Sequence, residues 1–247
     1  MSVFDLLIAP FADYGFMRRA LMAAVCLGFS AGPIGVFLLL RRMSLMGDAM
    51  SHAVLPGAAI GYLVAGSLSL TAMGIGGLVA GLSVAVLSGL VSRSTVLQED
   101  ASFASFYLAS LALGVLIVSL RGSNIDLLHV LFGTILAIDA PALTLIGAIS
   151  TLTLVALALI YRPLVLECLD PGFLRAVGGR GSLYHFAFLL LVVINLVASF
   201  QALGTLMAVG LMMLPAAIAQ LWARTLPGMM AVSAVTAIVS SYVGLIA

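Results

Sequence analysis

The sequence predicts an all-α, polytopic membrane protein with about eight transmembrane helices. Of its 247 residues, 64% are apolar and only 8% are charged, whereas soluble domains have about 45–50% apolar and about 25% charged residues. Charges and Pro/Gly breaks divide the chain into apolar segments close to the roughly 20 residues that a spanning helix needs. The strict polar–apolar alternation of a membrane β-barrel does not occur. Most of the surface is therefore expected to face lipid.

Eight segments fit this length. We predict spans near residues 16–40, 49–66, 68–92, 102–120, 138–161, 183–200, 203–223 and 227–247. The whole chain, 1–247, is expected to form one transmembrane domain.

The arginines favour one orientation, because cytoplasmic loops hold the excess of basic residues. Loops on one side contain Arg41, Arg42, Arg93, Arg162, Arg175, Arg180 and Arg224, against Arg18, Arg19 and Arg121 on the other. The first set is therefore expected to face the cytoplasm.

Several functions are disfavoured by what the sequence lacks. All ten basic residues are Arg, so the chain cannot form the Lys-containing P-loop of an ATPase. A net charge of +1 disfavours nucleic-acid binding, which requires a dense basic face. No HExxH motif is present, and the GxSxG match at residues 28–32 lies inside an apolar helix rather than after a strand. We therefore expect a protein that is not an enzyme.

Small residues recur at the spacing that allows helices to pack closely. Three GxxxG pairs, at residues 28/32, 57/61 and 77/81, let helix backbones approach one another. We expect them to mediate packing inside the bundle rather than a dedicated dimer contact. The two cysteines, Cys26 and Cys168, form no CxxC motif and predict no disulfide framework.

One ionisable pair leads directly into an apolar span. Asp48 and His52 are four residues apart, so on a helix they share one face. Ionisable residues at this depth are costly and are by default candidates for function. A carboxylate with an imidazole suits a divalent transition metal such as zinc, manganese or iron. The same pair could instead form a hydrogen bond that only stabilises the bundle, or a proton relay.

Two ligands are too few to hold such an ion, since zinc takes about four. A symmetric homodimer would bring together two carboxylates and two imidazoles at its axis. The number of ligands therefore predicts a homodimer. Of the other histidines, His129 is expected on a solvated face outside the bilayer, and His185 at the membrane interface.

The longest polar interruption on the predicted cytoplasmic side covers about residues 162–182. Asp170 and Pro171 are a typical helix start, with Asp as the N-cap and Pro at the first helical position. Gly178 and Gly179 are a typical stop. The short helix between them would lie across the membrane and could serve as a docking element, or could be an ordinary loop helix.

The sequence resembles the membrane permease subunits of the bacterial ABC importers for zinc, manganese and iron. The most specific match is residues 41–57, RRMSLMGDAMSHAVLPG. Weaker matches follow in the same order along the chain, at residues 98–101, 125–127, 131–133, 170–178, 201–204 and 214–219.

This resemblance implies a homodimeric, type II-like permease in the bacterial inner membrane. Its partners would be two ABC ATPase subunits and an extracytoplasmic metal-binding protein. No cofactor would be bound permanently, since the divalent metal ion is the cargo. Asp48 and His52 match the family's metal-contacting residues. The loop containing Asp170, Pro171, Phe173, Ala176 and Gly178 matches the segment that couples to the ATPase.

Two alternatives remain at the level of sequence. A proton-coupled secondary transporter would use Asp48 and His52 as a relay and would need no ATPase. A siderophore or vitamin ABC permease is the nearer competitor, but it would not require a charged Asp–His face.

Overall fold

The regular elements of the chain are helices. The computed structural model describes residues 8–43, 46–66, 70–121 and 138–246, and within these ranges it contains no strand. The helices are α1 (Ala9–Asp13), α2 (Gly15–Leu40), α3 (Met46–Ala65), α4 (Leu70–Ser94), α5 (Glu99–Arg121), α6 (Ala140–Leu169), α7 (Pro171–Ala176), α8 (Gly181–Trp222) and α9 (Leu226–Ile246). The predicted all-α class is confirmed.

Within the described ranges, seven helical segments are long and apolar enough to cross a membrane. They belong to α2, α4, α5, α6, α9 and the two parts of α8. The span predicted near residues 49–66 forms the helix α3, but α3 is not among the seven. Asp48 and His52 lie in its first two turns and lower its mean hydropathy. The multi-pass architecture is confirmed, and the eighth span stays a prediction.

The helix of the fifth span extends beyond the predicted end of that span near residue 161. Helix α6 continues through Pro163 and ends at Leu169. Proline removes one backbone hydrogen bond and favours a bend, but the helix can continue where packing supports the next turn. Leu164 is fully buried immediately after the proline. The polar loop predicted over 162–182 is therefore shorter, and α7 occupies most of it.

Helix α8 contains two spans separated at one residue. Gly204 has φ 77° and ψ 170°, a backbone conformation that is essentially restricted to glycine. Two segments of this helix, Gly181–Phe200 and Ala202–Trp222, are each long enough to cross a membrane, and Gly204 lies just after the junction between them. The two spans predicted near 183–200 and 203–223 are therefore confirmed.

The chain divides into two compact units. The first comprises residues 1–39, 128–154 and 198–247. Within its described part, α2 packs closely on α9: a Cβ added to Gly28 would meet Ala237 and Ile238, and one added to Gly32 would meet Ser233. A small core lies nearby, formed by Ala23, Leu27, Ile138, Ile146, Ala202 and Leu203.

The second unit comprises residues 40–127 and 155–197. Helices α3, α4 and α5 pack against one another in this unit. Gly57 of α3 approaches Gly76 of α4 so closely that a Cβ on either would overlap the other's carbonyl oxygen. Gly77 similarly lies against Val54, and Gly81 lies against Val54 and Val193. The GxxxG pairs pack inside their own unit, as predicted.

Candidate functional site

Helix α3 is held in place by close backbone contacts on two sides. Its C-terminal half packs on α4 through Gly57 and Gly61, because a side chain at either position would overlap the α4 backbone. On another side, Gly114 of α5 lies against Pro56, and the Ser110 hydroxyl donates to the Ala53 carbonyl at 3.1 Å. These contacts leave α3 little freedom to shift along or away from its neighbours.

Asp48 and His52 lie on one face of α3, as predicted. His52 Nε2 is 3.9 Å from Asp48 Oδ1. A hydrogen bond between nitrogen and oxygen requires about 2.7–3.2 Å, so the two groups are near each other without being bonded. Both can therefore turn their donor atoms toward a third partner.

The exposure of this pair contrasts with the rest of the helix start. Between residues 46 and 54, every residue other than Asp48 and His52 is buried. The Asp48 side chain is 65% exposed and that of His52 is 39% exposed. The fold therefore covers the apolar and small residues of this stretch and leaves uncovered the two that carry ionisable groups.

Neighbouring groups orient the pair without consuming its ligand atoms. The His52 ring stacks on Tyr107 of α5, with centroids 6.2 Å apart and planes inclined by 27°. The Ser51 hydroxyl donates to the backbone carbonyl of Asp48 at 2.6 Å, so it leaves the carboxylate oxygens available. Asp48 also lies in the first turn of α3, where the helix dipole favours a negative charge.

The pair alone does not make a complete metal site. Across the described ranges, no three His, Cys, Asp or Glu residues come together in a way that could hold a metal ion. A metal site at this position would therefore need ligands in addition to Asp48 and His52.

Helix α7 begins and ends where the sequence predicts. The Phe173 N–H donates to Asp170 Oδ1 at 2.8 Å, which makes Asp170 the N-cap. At the other end, Gly178 has φ 80°, and the Gly179 N–H donates to the Leu174 carbonyl at 2.8 Å. This pattern is a Schellman motif, in which a left-handed residue closes the helix.

The short helix α7 presents an apolar surface outward. Leu174 is buried and anchors the helix. Phe173 is 53% exposed and Val177 is 69% exposed, and Ala176 is also exposed. A well-capped helix with uncovered apolar side chains is suited to contact a partner, and its coupling role stays a prediction.

The GxSxG match at residues 28–32 has a structural role. Ser30, in the GxSxG match, is buried and donates to the carbonyls of Cys26 and Leu27 at 3.2 and 3.3 Å, so it is not presented as a nucleophile. His129 lies outside the described residues. Neither cysteine forms a disulfide.

One cluster was missed by the sequence analysis. His185 is 1% exposed, so its ring is covered by protein, while its expected position at the membrane interface stays a prediction. Its Nδ1 accepts a hydrogen bond from Arg41 Nη1 at 2.7 Å, and Arg41 Nε donates to Cys168 Sγ at 3.3 Å. Arg41 and His185 are 144 positions apart, and no local spacing could have predicted their contact.

Residues 13–247 match the ABC 3 transport family. The chain belongs to this family. It is therefore a multi-pass membrane permease of the bacterial inner membrane and a transport component rather than an enzyme. The family also favours an ATP-driven system over the proton-coupled alternative.

Individual relatives agree over nearly the whole chain. The sequence is 36% identical over 94% of its length to the manganese transport system membrane protein MntC of Halalkalibacterium halodurans, covering 78% of that protein. It is 31% identical over 98% of its length to the chelated iron transport system membrane protein YfeD of Yersinia pestis, covering 80% of that protein. Among solved structures, PsaBC from Streptococcus pneumoniae in complex with Fab matches with a TM-score of 0.79 and 28% identity. That match covers 99% of this chain and 94% of the other.

Proposed function

We propose that this permease imports divalent transition metal ions, with Mn²⁺ or Fe²⁺ as the principal cargo. The observation that carries the proposal is the uncovered Asp48–His52 pair in an otherwise buried helix start. Oxygen and nitrogen donors suit both ions, and no thiolate accompanies them to favour a softer metal. The relatives named for manganese and chelated iron transport support the same class of cargo.

The working unit in this proposal is a homodimer. One chain offers two ligands, whereas a bound transition metal takes four or more. Two copies meeting at a twofold axis would offer two carboxylates and two imidazoles. The exposure of both side chains supports this arrangement, because a charged pair facing lipid would be costly and a second copy would cover it.

Transport would be driven from the α7 side. Two ABC ATPase subunits would dock on the segment that includes Asp170, Pro171, Phe173, Ala176 and Gly178. The exposed Phe173 would supply apolar contact, and the two caps would keep the helix rigid enough to transmit force. An extracytoplasmic metal-binding protein would deliver the ion on the opposite face.

The mechanism that follows is alternating access. Closure of the ATPase dimer would move α7, reorient the spans and open the path outward, so that the ion enters between the paired Asp48 and His52 side chains. Reopening toward the cytoplasm would release it. A site with few ligands, which are not bonded to each other, allows the metal ion to exchange. The ion must bind favourably enough to enter the site and weakly enough to leave it.

The test is radioactive Mn²⁺ uptake in cells whose only importer contains this permease. We expect Asp48→Asn and His52→Ala each to abolish uptake while the protein is still inserted and assembled. Asp139→Asn is the matched control. Asp139 is an exposed carboxylate that caps α6 through the Ala142 N–H at 2.9 Å, and Asn preserves that cap.

Competition by Fe²⁺ and Zn²⁺ in the same assay ranks the cargo. Near-normal Mn²⁺ uptake by Asp48→Asn or His52→Ala would remove that residue from the pathway. Uptake of radioactive Zn²⁺ by cells that take up neither Mn²⁺ nor Fe²⁺ would overturn the proposed cargo without affecting the role of the pair.

A further inference from the structure

A second polar cluster includes Arg41 and Arg42, the first two residues of the segment 41–57 that also contains Asp48 and His52. The C-terminal end of α2, the end of α6 and the start of α8 line an open cavity of about 460 Å³. Its polar lining consists of Arg41, Arg42, Glu167, Cys168 and His185. All of these residues belong to the second compact unit. The cavity is within the range of about 300–1,000 Å³ that is typical of small-molecule sites.

Arg41 is held in this cavity with part of its guanidinium unsatisfied. Nε donates to Cys168 Sγ and Nη1 donates to His185 Nδ1, while the guanidinium lies 5.1 Å from the centre of the Phe188 ring. Its Nη2 is buried and makes no hydrogen bond to the described residues. A buried donor without an acceptor is costly, and in a native site it indicates an acceptor still to be supplied.

The hydrogen bonds of Arg41 are not made to a carboxylate. Arginine has no acceptor atom, so His185 Nδ1 must be the acceptor in this pair and carries no proton there. The two hydrogen-bond acceptors of Arg41 are thus an imidazole nitrogen and a sulfur rather than carboxylate oxygens. The guanidinium is fixed in orientation and remains available to an anion.

Arg42 adds a second cation in a strained backbone conformation. Its φ is 60°, and it is the one non-glycine residue with positive φ in the described ranges. The left-handed region costs an ordinary residue roughly 1–2 kcal/mol, and a glycine here would avoid that cost. Strain of this kind tends to occur at functional sites. Here the strained residue is one of two consecutive arginines that line the same cavity.

The negative charge of Glu167, the carboxylate in the lining, is partly offset by the N-terminal end of α8. A Cβ added to Gly181, the first residue of α8, would overlap the Glu167 carboxylate. The carboxylate therefore lies at the positive end of the α8 dipole. The two guanidiniums outnumber this carboxylate among the charged groups of the lining.

We propose that this cavity binds a phosphate group. A guanidinium pairs with phosphate through two parallel hydrogen bonds, and Arg41 Nη2 with Arg42 provides donors for such a group. Both the headgroup of an anionic phospholipid and a soluble phosphate present this chemistry. The predicted cytoplasmic position of Arg41 and Arg42 places the site within reach of either source.

The test uses the intact permease, extracted in a maltoside detergent that contains no phosphate. Three probes are added in separate arms: inorganic phosphate, dioctanoyl phosphatidylglycerol, and dioctanoylglycerol, which lacks the phosphate. The readout is the rate of alkylation at Cys168, measured by peptide mass spectrometry. Cys26, in the other compact unit, serves as the internal reference thiol.

We expect one or both phosphate-bearing probes to slow alkylation of Cys168 relative to Cys26, and dioctanoylglycerol to leave it unchanged. Protection by phosphatidylglycerol alone identifies a lipid headgroup, and protection by inorganic phosphate identifies a soluble anion. Arg41→Gln should weaken binding of the protecting probe by about tenfold, because hydrogen bonds to charged groups contribute more free energy than those between neutral groups.

Arg42→Gln keeps the test valid if the Arg41 variant fails to fold, since Arg42 is exposed. It should weaken binding by about threefold, a smaller effect because of solvent screening. Arg224→Gln, at an exposed arginine in the other unit, is the matched control and should bind as the unaltered protein does. Unchanged Cys168 alkylation with both phosphate probes, or equal protection in Arg42→Gln, would overturn the proposal.

Discussion

Replacing Gly57 by alanine tests whether the position of α3 determines transport. A Cβ at this position would overlap the Gly76 carbonyl oxygen and lie 2.6 Å from the Ala80 Cβ. The obstructing atoms include backbone of α4, which cannot rotate away as a flexible side chain can. Either α3 moves away from α4 or both helices distort, and α3 carries Asp48 and His52.

The expected cost follows from two opposing terms. Overpacking a well-packed interior costs about 1–3 kcal/mol, and obstruction by backbone places Gly57→Ala in the upper part of that range, at about 2–3 kcal/mol. Alanine is favoured over glycine in a helix by about 1 kcal/mol. We therefore expect a net loss of about 1–2 kcal/mol. For a protein of this size that corresponds to a fall in Tm of about 2–8 °C, together with a large loss of Mn²⁺ uptake.

Gly147→Ala is the matched control, because a Cβ there meets nothing within 4 Å. Only the helix preference applies at that position, so stability should be unchanged or slightly higher and uptake normal. The measurements are thermal unfolding of the detergent-extracted protein and uptake in cells. If Gly57→Ala has the stability and uptake of the Gly147→Ala control, the α3–α4 contact does not determine the site.

Three further substitutions test the ends and breaks of helices. Asp170→Ala should remove the α7 N-cap at a cost of about 1 kcal/mol and reduce uptake measured in cells. Asp170→Asn preserves the cap and should retain uptake, so equal behaviour of the two would contradict the capping argument. Phe173→Ser should leave Tm unchanged, because the side chain is exposed, yet weaken co-purification of the ATPase. Full ATPase retention would exclude Phe173 from the docking surface. Gly204→Ala should cost about 1–3 kcal/mol in thermal unfolding because of its backbone conformation. Gly210→Ala should not lower stability, because a Cβ there meets only one side-chain atom, at 3.9 Å. Equal Tm values for the two variants would refute the argument from the Gly204 backbone conformation.

Features that depend on local sequence were predicted correctly. Composition and segment length identify the helical membrane architecture, since each span must satisfy its own backbone. The caps of α7 follow from Asp170 and from Gly178, whose local chemistry decides where a helix begins and ends. The packing of Gly57 and Gly61 inside the bundle follows from their spacing.

Features that depend on tertiary contacts were not predictable in the same way. A polar loop was expected from about residue 162, but burial of Leu164 supports further helical turns and α6 continues to Leu169. The burial of His185 follows from its contact with Arg41, which no periodicity encodes. The sequence placed Asp48 and His52 on one face, but only the three-dimensional packing shows that their neighbours are covered while they are not.

The most direct measurement is the anomalous scattering of manganese in crystals of the permease complex grown with Mn²⁺. Our account predicts a single peak on the twofold axis, coordinated by Asp48 and His52 from both copies. Two separate peaks, one in each copy, would contradict the shared site. A peak that lies away from α3 would contradict the role of this pair altogether.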